Sequence, residues 1–422
     1  MEVVYPVLTP SPLESPETSG GERMKIAFLT PEYPHPKTGN SGGIGTSIKN
    51  LAIGLLAEGC SVRVLVYGQK EETIFDYNGI SIQQIKNIKF NGLSWFFTRK
   101  KLERIINQLY SNKEIDLVEV PDWTGITSFI KPKKCPIIIK LHGSDTYFCH
   151  LDTRPVKGIN KFHEKRALKN ANGLISVSQF TADLTNHVFG LKKEFTIIPN
   201  CIDVDLFNGN NKVSTPSSPL LCFASSLPLV WRGVGGEDIL YFGTLIRKKG
   251  VLELPLIFNE VIKKNPKSKL VLVGKDASDS ITGNPSTWAM MQTLFSNEAL
   301  QNVSYLGSVP YTEIKKQITQ ATVCVFPSFA EALPVSWIEA MAMQKPLVAS
   351  NIGWSTEIID DGVTGFLVNP KHHQEYAQRI LDLLENPELQ KEFGINARNK
   401  IIAKFSVKVV AQQSLAFYKS WL

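Results

Sequence analysis

No stretch of this sequence approaches the roughly 18 consecutive apolar residues that a membrane-spanning helix needs. Cysteine is scarce: the six residues, at 60, 135, 149, 201, 222 and 324, are scattered and form no Cys-x-x-Cys pair. That spacing excludes a zinc ribbon or a disulfide scaffold and predicts reduced thiols in a cytoplasmic protein. The first 23 residues lack the positive start and apolar block of a secretory signal and read as a disordered leader. No paired-aspartate metal site is read at a strand end, so no metal is expected. What is present is an ordinary globular composition, 422 residues with 43% hydrophobic residues, long enough for two or three domains. The net charge of +7 suits an anionic partner without naming one; nucleic acid, anionic lipid and sugar nucleotides all fit.

The chain reads as two runs of alternating strands and helices. MKIAFLT (24–30) opens the first, followed by a Pro- and Gly-rich loop and a helix from about Ile44 to Ala57, stopped by Gly59. Strands are predicted at 61–68, 115–120, 136–143, 173–178 and 195–200. After a break the alternation restarts, with strands at 238–243, 269–274, 303–307, 322–326 and 346–350. Short apolar strands separated by helices imply parallel sheets covered on both faces. The expected organisation is a leader (1–23), a first Rossmann-like domain (24–207), an insert (208–237), a second Rossmann-like domain (238–404) and a last helix (405–422). The leader and the insert share a Thr-Pro-Ser-rich, Gly-Gly-terminated pattern and read as tolerated insertions.

Open α/β sheets bind ligands beyond the carboxyl ends of their strands, which directs the search for chemistry. Gly42 and Gly43 precede the first helix, where free N–H groups attract phosphate. His142 follows a strand and either polarises a reacting group or is structural. Arg247, Lys248 and Lys249 stand between a strand and a helix, an end that already carries partial positive charge. An anion between these cations would remove the conflict; a solvated charge run is the alternative. In FPSFAEALPVSWIEAMA (326–342) Pro334 opens a helix, so the backbone near Leu333, Pro334 and Val335 is expected to face the cleft. Glu331 precedes that turn, and Glu339 lies within the helix. Carboxylates at this spacing suit the hydroxyls of a sugar nucleotide whose phosphate rests at the helix mouth.

Glu331-x7-Glu339 with Pro334 between resembles the E-x7-E signature of retaining glycosyltransferases of family 4 (glycosyl transferases group 1). GNSGGIG (39–45), His142, IPNCIDVDLF (198–207), YFGTLIRKKG (241–250) and DDGVTGFLV (360–368) extend the resemblance in order along the chain. It implies the GT-B fold, two Rossmann-like domains facing across a cleft, with a C-terminal helix crossing back to the first. It further implies that Glu331 contacts the donor sugar, Glu339 the ribose, and Lys249 with Arg247 the diphosphate. The Gly42–Gly43 loop would close over the phosphate and acceptor side, and His142 would sit near the anomeric centre. The family usually has Arg at the position of Thr244 and Gly at those of Ala332 and Trp354; Arg247 is expected to replace the first.

The function so implied is metal-independent, retaining transfer from a UDP-, GDP- or ADP-sugar to a saccharide or lipid-linked acceptor, with no other cofactor and no nucleic-acid partner. Cell-surface polysaccharide, lipopolysaccharide or glycolipid synthesis would be its setting. A GT-B epimerase or phosphorylase and a weakened, non-catalytic binding module are the alternatives. NGLSWFFTRKKLERIINQL (91–109) places Leu102, Ile105, Ile106 and Leu109 on one helical face, which is expected to be core. Its aromatic and basic entry, Trp95 to Arg104, suits peripheral contact with an anionic membrane on the cytoplasmic side.

Overall fold

The computed structural model describes residues 23–39, 41–208 and 237–422. Residues 1–22 and 209–236, which hold the expected leader and insert, lie outside the described residues. Eight strands form the first sheet: β1 (Lys25–Thr30), β2 (Ser61–Gln69), β3 (Ile74–Tyr77), β4 (Ile80–Lys86), β5 (Leu117–Pro121), β6 (Ile137–Leu141), β7 (Gly173–Ser176) and β8 (Thr196–Ile197). Their order is β3-β4-β2-β1-β5-β6-β7-β8, and only the β3–β4 pair is antiparallel. The second sheet holds β9 (Asp238–Phe242), β10 (Lys269–Val273), β11 (Val303–Tyr305), β12 (Val323–Phe326), β13 (Leu347–Ser350) and β14 (Phe366–Val368). It is wholly parallel, in the order β11-β10-β9-β12-β13-β14. Two α/β domains of GT-B architecture result.

Strand periodicity distributes the core. In β1, Ile26 and Phe28 pack to one side of the sheet while Ala27 and Leu29 pack to the other, and all four are buried. Removing Ile26, Phe28 or Leu29 from water contributes roughly 1.5–3 kcal/mol each and Ala27 less, which is why a strand covered on both faces reads as an unbroken apolar run. The hairpin of β3 and β4 was not anticipated. It turns at Asn78-Gly79, both with positive φ (53° and 78°), the pairing that a tight two-residue turn requires. β8 is only two residues long, against the predicted 195–200, and stops before Pro199, which has no N–H to give a neighbouring strand. β14 likewise escaped the strand reading.

Helices Pro387–Phe405 and Val407–Lys419 begin where Pro387 and Ser406 suggest. The Ile202 N–H donates to the Phe405 carbonyl (2.9 Å) and the Val407 N–H to the Ile202 carbonyl (3.0 Å). The last helix then packs on helix Gly43–Ala57 of the first domain. Gly54 permits the approach: a Cβ there would lie 2.6 Å from Val407 Cγ1 and 2.8 Å from the Ala411 Cβ. Val410, Ala411 and Tyr418 are buried in the first domain's core, and the Tyr418 hydroxyl donates to the buried Glu119.

Candidate functional site

In the first sheet the strand order reverses between β1 and β5, and in the second between β9 and β12. Connections leave such a point in opposite directions and open a crevice at the carboxyl ends. Around the second reversal stand the turn after β9, with Arg247, Lys248 and Lys249, and the loop after β12, with Glu331. Lys249 Nζ lies 2.6 Å from Glu331 Oε1, and the Ser328 hydroxyl donates to the same oxygen at 3.1 Å. Both charged side chains are largely withdrawn from water. Gly250 (φ 66°) makes this pairing possible, because a Cβ there would stand 1.7 Å from the Pro327 carbonyl oxygen. The chain can therefore lay Lys249 directly over the Glu331 loop.

Pro334 is the N-cap of helix Val335–Ala342, one residue earlier than the helical position expected, and no side chain caps the helix. Its first-turn N–H groups and the positive end of the peptide dipoles thus remain available to an anion. Leu333 and Pro334 are buried, while Val335 is half-buried at the mouth. Glu339, within the helix, is buried, and burial pushes its carboxyl up to about 7. The Tyr311 hydroxyl donates to Glu339 Oε1 at 2.5 Å, so one of the two oxygens assigned to ribose is already held. Tyr311 was missed because nothing in its local sequence points to Glu339, 28 residues away.

On the facing domain, Gly42 is the N-cap of helix Gly43–Ala57. Part of the helix end expected to meet phosphate is already occupied. Glu32 already serves it, accepting the Gly45 N–H at Oε1 (2.9 Å). Gly43 keeps open space where a side chain would stand. His142 follows β6, is partly buried, and its ring makes no hydrogen bond with the described residues. Burial, reinforced by the nearby Lys140 ammonium, pushes its pKa down to about 3, so the imidazole is neutral. Its backbone N–H donates to Asp122 Oδ1 (2.8 Å). Asp122 is buried, Oδ2 has no partner among the described residues, and burial pushes its carboxyl up to about 7.

The two domains touch through the loop that carries Glu331. Ser144 caps helix Asp145–Leu151, whose Tyr147 hydroxyl donates to the Glu331 carbonyl at 2.6 Å. Ser178 and Thr181 donate to the Ala332 carbonyl (3.1 and 3.2 Å), and Asn200 Nδ2 to the Leu333 carbonyl (2.9 Å). Three consecutive carbonyls of the loop are thus held by first-domain side chains. Ser47 on helix Gly43–Ala57 in turn donates to Asn200 Oδ1 (2.7 Å). Sequence reading could not find these contacts, because they join residues more than 130 positions apart.

Arg247 does not join Lys249. Its Nε and Nη2 each donate at 2.8 Å to the two oxygens of Asp279, whose carboxylate is nearly sealed from water and also accepts from Thr282. Arg247, expected to replace the arginine absent at Thr244, has its fork engaged by a buried carboxylate in this structure. Lys248 instead turns to the first domain, with Nζ 3.5 Å from the Phe148 ring centroid. Burial lowers its pKa, while Glu331 opposes that shift.

Residues 41–206 match the family model described as Glycosyltransferase Family 4, and residues 233–400 match Glycosyl transferases group 1. An uncharacterized glycosyltransferase of Methanocaldococcus jannaschii is 24% identical over 416 residues, covering 94% of this chain and 98% of its own length. Alpha-D-kanosaminyltransferase of Streptomyces kanamyceticus is 28% identical over 182 residues, 43% of this chain and 45% of its own. Among solved structures, sucrose-phosphate synthase of Thermosynechococcus elongatus superposes with a TM-score of 0.71 at 19% identity, over 94% of this chain and 99% of that one. Anabaena HepE, solved with UDP and glucose, gives 0.69 at 20% identity, over 94% and 100% of the two chains. Fold, paired family models and full-length relatives agree: the chain belongs to the glycosyltransferases of the GT-B fold.

Proposed function

We propose that the protein transfers a sugar from a nucleotide-sugar to a saccharide or lipid-linked acceptor, with retention of anomeric configuration and without a metal or other cofactor. The observation that carries this reading is the Lys249–Glu331 contact of 2.6 Å beside an uncapped helix mouth. Bond cleavage leaves negative charge on the departing diphosphate. The Lys249 ammonium and the N–H groups at Val335 and Ser336 would meet that charge as it develops, an electrostatic role that needs no movement of the protein. Among the described residues no group of three or more His, Cys, Asp and Glu is arranged to hold a metal ion. Glu331, held by Lys249 and Ser328, would accept donor-sugar hydroxyls and orient the ring. Glu339 would accept ribose hydroxyls through the oxygen that Tyr311 leaves free. Neutral His142 would contact the sugar near the anomeric carbon, where a cation would oppose an oxocarbenium-like state. The acceptor hydroxyl would then attack from the face the diphosphate leaves. HepE structures with UDP and with UDP-glucose make UDP-sugars the first donors to try, with GDP- and ADP-sugars beside them. NMR assignment of the product's anomeric configuration, with and without chelator, is the test. Inverted product refutes retention, and activity lost to chelator and restored by magnesium or manganese refutes metal independence.

The same reading places the protein at the cytoplasmic face of a membrane. No helix among the described residues is long and apolar enough to cross one. The face of helix Ser94–Ser111 that carries Leu102, Ile106 and Leu109 is core, as expected, and Arg99 is buried with it, donating to the Trp95 and Gly125 carbonyls. Lys100 pairs with Glu103 and Lys101 with Glu72, so three of the expected basic contacts are committed. The side chains that support the idea are apolar, three of them aromatic: Phe90, Trp95, Ile159 and Phe162 stay 53%, 40%, 59% and 50% exposed. Trp95 and Phe162 meet through Phe129 and His163. Flotation with anionic liposomes tests it; equal flotation of a Trp95→Ser/Phe162→Ser variant refutes it.

A further inference from the structure

Helix Asp145–Leu151 has two working sides. Tyr147 and Phe148 face the second domain, under Glu331 and Lys248. Thr146, Cys149 and His150, spaced three and four residues apart, share the other side. There they line an open cavity of about 340 Å³, closed by Arg154, Lys161 and His187. That volume lies in the range of small-ligand sites.

The lining is rich in nitrogen donors without partners. The side chains of Lys161, His150 and His187 are exposed and make no hydrogen bond or ion pair with the described residues, and the two imidazole rings meet edge to face at 5.8 Å. The nearby carboxylates are already engaged. Asp152 holds Arg154 Nε at 3.0 Å, and Asp145 accepts Asn160 Nδ2 at 2.9 Å and lies 3.8 Å from Arg154 Nη2. Glu164, beneath the floor, accepts the Asp145 and Thr146 N–H groups and the Thr146 hydroxyl. Phe148, whose ring Lys248 covers, is followed by Cys149 of the cavity lining, so cavity and cleft flank the same short helix. One helix, roughly 10 Å across with its side chains, separates it from the Glu331 loop.

We infer that this cavity is an acceptor subsite for a saccharide bearing an anionic group, phosphate or carboxylate, held by Lys161, His150 and His187 with Arg154 at the rim. The inference rests on the glycosyl-transfer reading and names the acceptor's chemistry: a phosphorylated or uronate-containing glycan.

The test titrates glucose 6-phosphate, glucuronate, inorganic phosphate and glucose into the full chain while following the imidazole ¹H–¹⁵N signals. His150→Gln and His187→Gln assign those signals. Saturating shifts with glucose 6-phosphate or glucuronate, none with glucose, and affinity weakened about fivefold or more in Lys161→Gln or Arg154→Gln are expected. The winning probe separates phosphate from carboxylate. Shifts that never saturate, or that survive in both variants, overturn the site. Inorganic phosphate binding as tightly as glucose 6-phosphate overturns its assignment to a saccharide. UDP-, GDP- and ADP-sugar thermal shifts run in parallel: donor binding without imidazole shifts refutes only the subsite, and imidazole shifts without donor binding refute only the transfer reading.

Discussion

Replacing Tyr147 by Phe removes one oxygen atom and little else. The ring is buried and stays in place, but the Glu331 carbonyl, which accepts from the Tyr147 hydroxyl at 2.6 Å, is left without that donor. A neutral hydrogen bond contributes about 0.5–1.5 kcal/mol net, and a buried carbonyl left unpaired costs about 1–3 kcal/mol. For domains of this size each kcal/mol moves the unfolding midpoint by roughly 2–4 °C. A fall of several degrees is therefore expected. Because the lost donor lies across the domain boundary, the amides of residues 329–333 should also exchange faster with deuterium, while those of β1 and β10 should not. Thermal unfolding and hydrogen exchange read these two effects separately. An unchanged midpoint with unchanged exchange at 329–333 would refute the claim that first-domain side chains hold the Glu331 loop.

Lys249→Ala should lower turnover at least tenfold, about 1.4 kcal/mol of transition-state stabilisation, with Lys249→Arg less affected; wild-type turnover in the alanine variant contradicts its role. Burial raises the Glu339 carboxyl from 4.5 to about 7, so the folded chain favours its protonated form. The stability this gives is complete below about 4.5 and is lost as pH rises through about 7. Glu339→Gln should accordingly gain on the wild type in unfolding midpoint as pH rises from about 4.5 to about 7, and a constant difference argues against a buried, protonated carboxyl. Donor affinity of the wild type should fall as pH drops through about 7, where the acceptor oxygens are lost. Arg247→Ala should lower the midpoint, since it strands the buried Asp279, yet leave turnover per folded molecule near wild type; a tenfold loss of turnover at an unchanged midpoint returns Arg247 to the phosphate.

Much of the architecture was legible because the strands are buried on both faces and so stand out as apolar runs. β3 was not, since Ile74-Phe-Asp-Tyr77 is largely exposed and carries no such run, although Asn78-Gly79 is a strong local turn signal. Lys249 and Glu331 could be singled out from their places at strand ends, but not their contact, which depends on Gly250 passing beneath Pro327. The pairing of Arg247 with Asp279 was not legible, because the two lie 32 residues apart. Glu32 at the Gly45 N–H shows the same limit at short range: a helix end attracts any anion, including one the chain itself supplies. Tyr147, Ser178 and Thr181 carried no signal, because ordinary polar residues gain meaning only from the opposite domain; Asn200 lay within a quoted motif, but its contact with Leu333 did not show.

The helix Val407–Lys419 has a consequence for how the chain is made. Its Val410, Ala411 and Tyr418 complete the apolar interior built on β1 and β2, yet they are synthesised some two hundred residues later than Ile198 and Cys201, the preceding members of that interior. Some two hundred residues separate Ile202 from Ser406, the two positions paired where the chain crosses between domains. At about 5–20 residues per second, the ribosome needs roughly 10–40 s to traverse them. During that interval helix Gly43–Ala57 offers an apolar flank, with the notch at Gly54, to solvent or to a chaperone. A truncation that spares every residue of the catalytic cleft but ends before Val407 should leave the nascent amino-terminal half aggregation-prone.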